Sequence, residues 1–135
     1  MFTHLLDTSA WFIHVFKEPG SEQITELFRD EKNQVAISAI SLVEMYARLK
    51  SAGRASEFDP TVEFYQQLFH AILPVTEKVA LRAVSLRDTA TTRLPTIDSL
   101  IAATAALQGA VLVHRDAHFS TLSPDQVQQQ ALSEP

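Results

Sequence analysis

The 135-residue sequence contains no cysteine and only three glycines. Without cysteine there are no disulfide bonds, thiolate zinc sites or cysteine nucleophiles, which is typical of proteins from a reducing compartment. The glycines, at positions 20, 53 and 109, are too widely spaced for a Gly-x-Gly-x-x-Gly or P-loop motif. Nucleotide-binding enzymes of those types are therefore excluded, and any metal must be bound by oxygen or imidazole.

Long apolar runs and an excess of positive charge are also missing. No stretch reaches the ~18 apolar residues needed to span a bilayer, and residues 1–7 lack a basic residue ahead of their apolar part, so they make a poor signal peptide. We expect a soluble cytoplasmic protein. With 11 basic and 16 acidic residues, the net charge of −5 argues against broad electrostatic attraction to nucleic acid.

The apolar fraction of 46% is enough to form a hydrophobic core, and we expect one domain over residues 1–135. The polar end, residues 126–135, is expected to be a frayed tail. Apolar runs of strand length occupy residues 2–6, 34–38, 71–75 and 110–113.

Longer segments with helical periodicity separate these runs. We expect helices to start at Asp59-Pro60, Thr76-Glu77 and Thr96-Ile97, and one helix to end at Gly109. The alternation predicts an α/β domain in three layers, with a central, largely parallel sheet and helices on both faces.

Four acidic residues fall where such a sheet places its ligand site, beyond the carboxyl ends of the strands. Asp7 closes the first strand, and Asp116 follows the last apolar run. Glu44 and Asp98 are each expected in the first turn of a helix. We therefore expect all four carboxylates at one edge of the sheet.

Each of these positions also has a purely structural explanation. The segment Ser41-Leu42-Val43-Glu44 fits a capping box, and Asp98 suits the positive end of a helix dipole. Asp7 or Ser9 could cap a helix that begins near Ala10.

Other catalytic centres find less support in the sequence. The five histidines include no His-Glu-x-x-His pair, and no serine lies in a Gly-x-Ser-x-Gly motif. Converging carboxylates repel one another unless cations neutralise them, and their oxygens suit one or two Mg²⁺ or Mn²⁺ ions. The chemistry expected of such a site is metal-assisted attack of water on a phosphodiester, and the bound cations would offset the acidic charge.

The segments around these acids resemble the four acidic motifs of the PIN-domain nucleases. They read Leu5-Leu6-Asp7-Thr8-Ser9-Ala10, Ser41-Leu42-Val43-Glu44, Leu94-Pro95-Thr96-Ile97-Asp98-Ser99-Leu100-Ile101-Ala102-Ala103-Thr104-Ala105 and Leu112-Val113-His114-Arg115-Asp116-Ala117-His118-Phe119. They occur in the family's order and span nearly the whole chain, and the third is the most specific. The chain length is similar to that of a stand-alone PIN domain such as the VapC toxins of toxin–antitoxin pairs.

The resemblance implies a PIN-like fold and an endoribonuclease that depends on Mg²⁺ or Mn²⁺ and cleaves RNA with metal-activated water. It also implies a small antitoxin partner and a homodimer. The catalytic and metal-ligating positions of the family match Asp7, Glu44, Asp98 and Asp116, and its small hydroxyl position matches Ser9. The sequence departs from the pattern at His114, where many relatives have Thr or Ser, so an imidazole replaces the hydroxyl that would orient Asp116 or a water.

Two further features concern substrate and partners. Arg93 and Arg115 flank the third and fourth acids, where either could bind a substrate phosphate or form a surface salt bridge. Apolar residues between Trp11 and Phe16 cover nearly every side of a helix. We expect part of this surface, with the helix at 42–49, to contact an antitoxin or a second subunit, the alternative being burial inside the domain.

The sequence also leaves alternatives to a toxin open. A PIN-type RNA-processing nuclease would use the same residues, whereas a non-catalytic PIN-like domain that binds RNA or protein has no evident need for all four acids. A phosphatase of the haloacid-dehalogenase kind requires an Asp two residues after its nucleophile, where this sequence has Ser9.

Overall fold

The computed structural model describes residues 1–133, which form a five-stranded sheet, six α-helices and two short 3₁₀ helices. The strands are β1 (His4–Leu6), β2 (Val35–Ser38), β3 (Ala71–Leu73), β4 (Val111–His114) and β5 (Gln129–Ala131). The helices are α1 (Thr8–Val15), α2 (Ser21–Arg29), α3 (Ile40–Ser51), α4 (Phe58–Tyr65), α5 (Glu77–Thr89) and α6 (Thr96–Gln108), with 3₁₀ helices at Ala55–Glu57 and Ala117–Thr121.

The strands are all parallel, in the order β3-β2-β1-β4-β5. The strand order reverses at β1, because the chain runs outward through β2 and β3 and then returns to the other side of β1 at β4. Crevices for ligands in open parallel sheets form at such a reversal, beyond the carboxyl ends of the strands. Here the reversal lies between β1 and β4.

Both faces of the sheet are buried, and neighbouring residues of a strand enter different halves of the core. Leu5 and Leu112 pack with α5 and α6, whereas Leu6 and Val113 pack with α1, α3 and α4. This alternation follows from the two-residue repeat of a strand. The predicted three-layer α/β architecture with a parallel sheet is confirmed.

Several local predictions also hold. Thr76 caps α5 by accepting a hydrogen bond from the Val79 N–H, and Gly109 ends α6 in the left-handed conformation with φ of 63°. The start predicted at Asp59-Pro60 is slightly displaced, since α4 begins at Phe58 directly after a 3₁₀ turn.

The prediction of a frayed tail is wrong for residues 126–133. Strand β5 pairs with β4, and Val127 and Leu132 are buried on opposite sides of the sheet. The apolar residues of this stretch are few but occupy the positions that reach the core. Residues 134 and 135 of the predicted tail lie outside the described residues. Within residues 1–133, no helix has the length and apolar character that a membrane crossing requires.

Candidate metal and nucleic-acid site

Asp7 lies directly after β1, where its side chain caps α1. Its Oδ2 accepts hydrogen bonds from the Ser9 N–H at 3.0 Å and the Ser9 Oγ at 2.5 Å. The residue is only 3% exposed. Burial raises the pKa of Asp7 to about 6, although the two hydrogen bonds from Ser9 lower it. The negative charges of Asp116 and Glu44 add to the rise. Asp7 therefore combines a capping role with a costly buried charge.

Glu44 lies in the second turn of α3, not in the first as predicted, because the helix already begins at Ile40. Its Oε1 accepts a hydrogen bond of 2.5 Å from Thr8 Oγ1, which also contacts Ser41 Oγ at 2.8 Å. The N-cap residue of α3 is Ala39, not Ser41, and the Ile40 N–H at the start of the helix donates to Ser38 Oγ at 3.2 Å. The capping-box explanation of Glu44 therefore does not apply, and the carboxylate is held from α1 instead.

Asp98 lies in the first turn of α6, as predicted, with 15% of its side chain exposed. Burial, followed by the charge of Asp116, raises the pKa of Asp98 to about 7, and the charges of Asp7 and Glu44 contribute as well. Four carboxylates that are distant in sequence are therefore electrostatically coupled. The structure brings the four predicted acids together at the carboxyl edge of the sheet.

Asp116 follows β4 and is positioned through His114. The Asp116 N–H donates to His114 Nδ1 at 3.1 Å, and His114 Nε2 lies 2.8 Å from Gln129 Oε1 of β5. This pattern requires a neutral imidazole with its proton on Nε2. Burial lowers the pKa of His114, which favours that neutral form. His114, at the position where many relatives have Thr or Ser, thus fixes the backbone of Asp116 through its imidazole ring.

Ser9 connects Asp7 with the segment that follows β4. Its hydroxyl donates to Asp7 and accepts a hydrogen bond of 3.0 Å from the Arg115 N–H. The Arg115 guanidinium turns away from this contact, donating to the Pro19 carbonyl at 2.8 Å and lying 3.9 Å from Glu18. Of the two roles expected for Arg115, the structure thus shows the ion pair, with an Arg115 side chain that is only 10% exposed.

Arg93 occupies an exposed position in the loop before α6. It lines a cavity of about 640 Å³ together with Arg87, Thr96 and Ser99. None of the four acids is among the described residues that line this cavity, so the structure does not bring Arg93 into contact with them.

His118 is a site residue that the sequence analysis did not select. It lies in the 3₁₀ helix after β4, with Nδ1 2.8 Å from Asp116 Oδ1 and 3.3 Å from Asp98 Oδ2. This nitrogen is inaccessible to solvent and has no hydrogen-bond partner among residues 1–133, since neither carboxylate contact has suitable geometry. The two-residue spacing from Asp116 was the available signal, but the loop gave no reason to expect contact with α6.

The donor set fits a divalent cation. One ligand atom each from Asp98, Asp116 and His118 lies within 4.8 Å of the others. Converging carboxylates beside an unpaired imidazole nitrogen cost stability that a cation would offset. The edge is also accessible, since the side chains of Asp116 and His118 are 26% and 43% exposed.

Comparisons with known proteins agree with this arrangement. The family model of the PIN domain matches residues 4–123. The chain belongs to the PIN-domain family. No curated protein matches the chain.

Solved structures show the same PIN fold along nearly the whole chain. The VapBC2 complex of Rickettsia felis bound to a promoter DNA fragment is similar with a TM-score of 0.78 and 18% identity, over 98% of this chain and 100% of that one. A toxin–antitoxin complex from Klebsiella pneumoniae gives a TM-score of 0.66 and 26% identity, over 87% and 91%. Mycobacterium tuberculosis VapC20, a toxin that cleaves the sarcin–ricin loop, gives 0.69 and 16%, over 87% and 93%.

Proposed function

We propose that this PIN domain is a metal-dependent endoribonuclease and the toxin of a toxin–antitoxin pair. The observation that carries the proposal is the convergence of Asp7, Glu44, Asp98 and Asp116 from four separate segments at one edge of the sheet. Burying mutually repelling carboxylates destabilises the fold, so a binding function is the physical reason to keep them there.

The four carboxylates would hold one or two Mg²⁺ or Mn²⁺ ions. A bound cation supplies a water of lowered pKa and stabilises the charge that develops on the phosphodiester. The protein's own residues hold the ligands in place. Ser9 orients Asp7, Thr8 orients Glu44, and His114 fixes the backbone of Asp116.

An RNA substrate suits the exposed edge on which the acids lie, because a polymer cannot enter an enclosed cavity. Arg93, exposed in the loop that leads into α6, is our candidate contact for a substrate phosphate. Arg115 supports the site through Pro19 and Ser9 and is not retained as a phosphate contact. With such a substrate the protein would act in the cytoplasm.

The partner surface that we propose lies on α1 and α3. Trp11 is fully buried, but Phe12 and Phe16 stay half-buried with the Arg48 guanidinium 5.2 and 5.5 Å from their ring centroids. Val43 and Tyr46 on α3 are exposed. The similar solved structures include several toxin–antitoxin complexes, which supports an antitoxin and a second copy of the chain as partners.

The decisive test is RNA cleavage by the purified protein with Mg²⁺ or Mn²⁺ and with excess chelator. Structured and single-stranded RNAs, including a sarcin–ricin stem-loop, serve as substrates. We expect cleavage with either metal and none with chelator, because the charge neutralisation that the reaction needs comes from the cation.

Asp7→Asn sharpens this test, since Asn caps a helix about as well as Asp. The variant should abolish cleavage and reduce the rise in melting temperature that Mg²⁺ gives the parent, while the metal-free fold stays at least as stable. Asp59→Asn, an exposed acid in the first turn of α4, is the matched control and should change neither property. Undiminished cleavage in chelator, or by Asp7→Asn, would refute the nuclease, and RNA binding without cleavage would support a binding domain instead.

A further inference from the structure

The unpaired imidazole nitrogen of His118 is aimed at two of the four acids. It contacts Asp116 Oδ1 at 2.8 Å and Asp98 Oδ2 at 3.3 Å, while a solvent-inaccessible N–H or lone pair ordinarily has a hydrogen-bond partner. Neither contact has hydrogen-bond geometry, so the imidazole could pair with the carboxylates only as a charged group. A cation between the three side chains would instead bind the nitrogen lone pair and both carboxylates.

The spacing of the three donor atoms suits one ion. In octahedral coordination with metal–ligand bonds of about 2.1 Å, neighbouring ligand atoms lie about 3 Å apart and opposite ones about 4.2 Å apart. The donor atoms of Asp98, Asp116 and His118 lie within 4.8 Å of one another. A single cation could therefore contact all three after small side-chain movements.

The backbone that carries the imidazole is held in place before any ion arrives. The backbone N–H of His118 donates to Asp116 Oδ1 at 2.9 Å, which fixes the residue at the start of the 3₁₀ helix. The next residue, Phe119, is fully buried, and its ring centroid lies 4.8 Å from that of His114. Ligands fixed in this way lose little conformational entropy on binding.

We propose that His118 is a metal ligand beside Asp98 and Asp116, and that its nitrogen makes this site select Mn²⁺ over Mg²⁺. The inference rests on the metal site of the proposed function and adds a ligand and a selectivity to it. Mg²⁺ demands oxygen ligands and retains its waters, whereas a transition-metal ion gains more from an imidazole nitrogen. A site of carboxylates alone would discriminate less between the two ions.

Pulsed electron paramagnetic resonance of the Mn²⁺-loaded protein tests the ligand directly. We expect the spectrum of the parent to show coupling of Mn²⁺ to an imidazole ¹⁴N nucleus, and His118→Ala and His118→Asn to lose it. The Asn side chain has an oxygen near the position of the His118 Nδ1 atom. His118→Asn therefore keeps an atom that can bind the metal and removes only the nitrogen. His70→Asn is the matched control, because His70 lies at the opposite, amino end of the strands and accepts from the Val35 N–H. It should retain the coupling.

Calorimetric titration of the same proteins with each metal tests the selectivity. Loss of the nitrogen should weaken Mn²⁺ binding by about tenfold or more and leave Mg²⁺ binding within a few-fold of the parent, the size of effect typical for a lost metal partner. Circular dichroism identifies folded variants, and His118→Asn keeps the test available if His118→Ala does not fold.

Two results would overturn the proposal: a parent spectrum without ¹⁴N coupling although Mn²⁺ is bound, or equal losses of Mg²⁺ and Mn²⁺ affinity in His118→Asn. In either case metal-dependent RNA cleavage by the parent would leave the proposed nuclease intact. If the parent shows the ¹⁴N coupling but cleaves no RNA, the result would support His118 as a metal ligand and contradict the proposed nuclease activity.

Discussion

Asp7 caps a helix and also carries a carboxylate that burial makes hard to ionise. A negative charge near the N-terminus of a helix is stabilised by the helix dipole, which favours the ionised form of Asp7. Desolvation and the charges of Asp116 and Glu44 favour the protonated form instead. Its pKa rises from 3.8 to about 6, so the second effect dominates. In the absence of metal, the folded protein therefore binds a proton here more tightly than the unfolded chain does.

This difference predicts how the stability of the metal-free protein depends on pH. Because the folded pKa of Asp7 is raised, its contribution to stability is full below about pH 4 and is lost as the pH rises through 6. Relative to Asp7→Asn, the parent should lose on the order of 1 to 3 kcal/mol of unfolding free energy between pH 4 and 7.

Urea unfolding of both proteins in chelator across this pH range measures the loss. The lowered pKa of His114 has the opposite effect on stability, but it is present in both proteins and cancels in the difference. Saturating Mg²⁺ should favour the parent instead. If the free energies of unfolding of the two proteins in chelator change with pH in parallel, the assignment of a destabilising charge to Asp7 would be contradicted.

At the scale of elements, β5 is short and polar yet adds to the stability of the site. It pairs with β4, and its Gln129 contacts His114, which in turn holds the backbone of Asp116. Leu132, one residue beyond β5, is buried and packs in the core on the α1 side of the sheet, which holds β5 in place.

Leu132→Ala should therefore lower the free energy of unfolding by about 2 to 4 kcal/mol, the cost of truncating a buried leucine. The matched control, Leu81→Ala on α5, removes the same atoms from a side chain that is 63% exposed and should change stability by less than about 0.5 kcal/mol. Urea unfolding in chelator gives both values. Equal losses in the two variants would show that β5 does not depend on Leu132.

The elements that could be predicted from the sequence are those determined by nearby residues. Four strands coincide with apolar runs, and Thr76 and Gly109 mark helix ends through local hydrogen bonds and backbone conformation. The fifth strand could not be predicted, because Gln129–Ala131 is polar and becomes a strand only through pairing with β4.

The same distinction applies to the site. The positions of Asp7, Asp98 and Asp116 could be predicted, because each lies next to the end of a strand or the start of a helix. The partner of Glu44 is Thr8 on another helix, and His118 meets Asp98 across two elements. Neither contact leaves a signal in the local sequence, since both depend on how distant segments pack.

At the scale of the whole molecule, two apolar surfaces compete for the role of partner interface. One lies on α1 and α3 and includes Val43, which is 65% exposed, and the other lies on α5 and includes Val84, which is 64% exposed. The first surface also includes the half-buried Phe12 and Phe16 of α1, whose rings lie next to the Arg48 guanidinium, and this favours it as the interface.

We therefore expect Val43→Lys to weaken self-association or antitoxin binding, and Val84→Lys to leave both unchanged. Because both side chains are exposed to the same degree, neither substitution should alter the melting temperature of the monomer substantially. Sedimentation measures the oligomeric state, and titration with the antitoxin measures binding. Dissociation by Val84→Lys alone would move the interface to α5.

The strand order also bears on when the four acids come together during folding. Strand β1 lies at the centre of the sheet and pairs with β4, so that His4 is the neighbour of Val111. Contacts between residues so distant in sequence form late, because the loop between them must close first, and they slow folding. Since Asp7 and Asp116 follow these two strands, we expect the acids to meet late in folding. A partly folded chain would then have no assembled centre, and the RNA cleavage that we propose would be confined to molecules that have completed their fold.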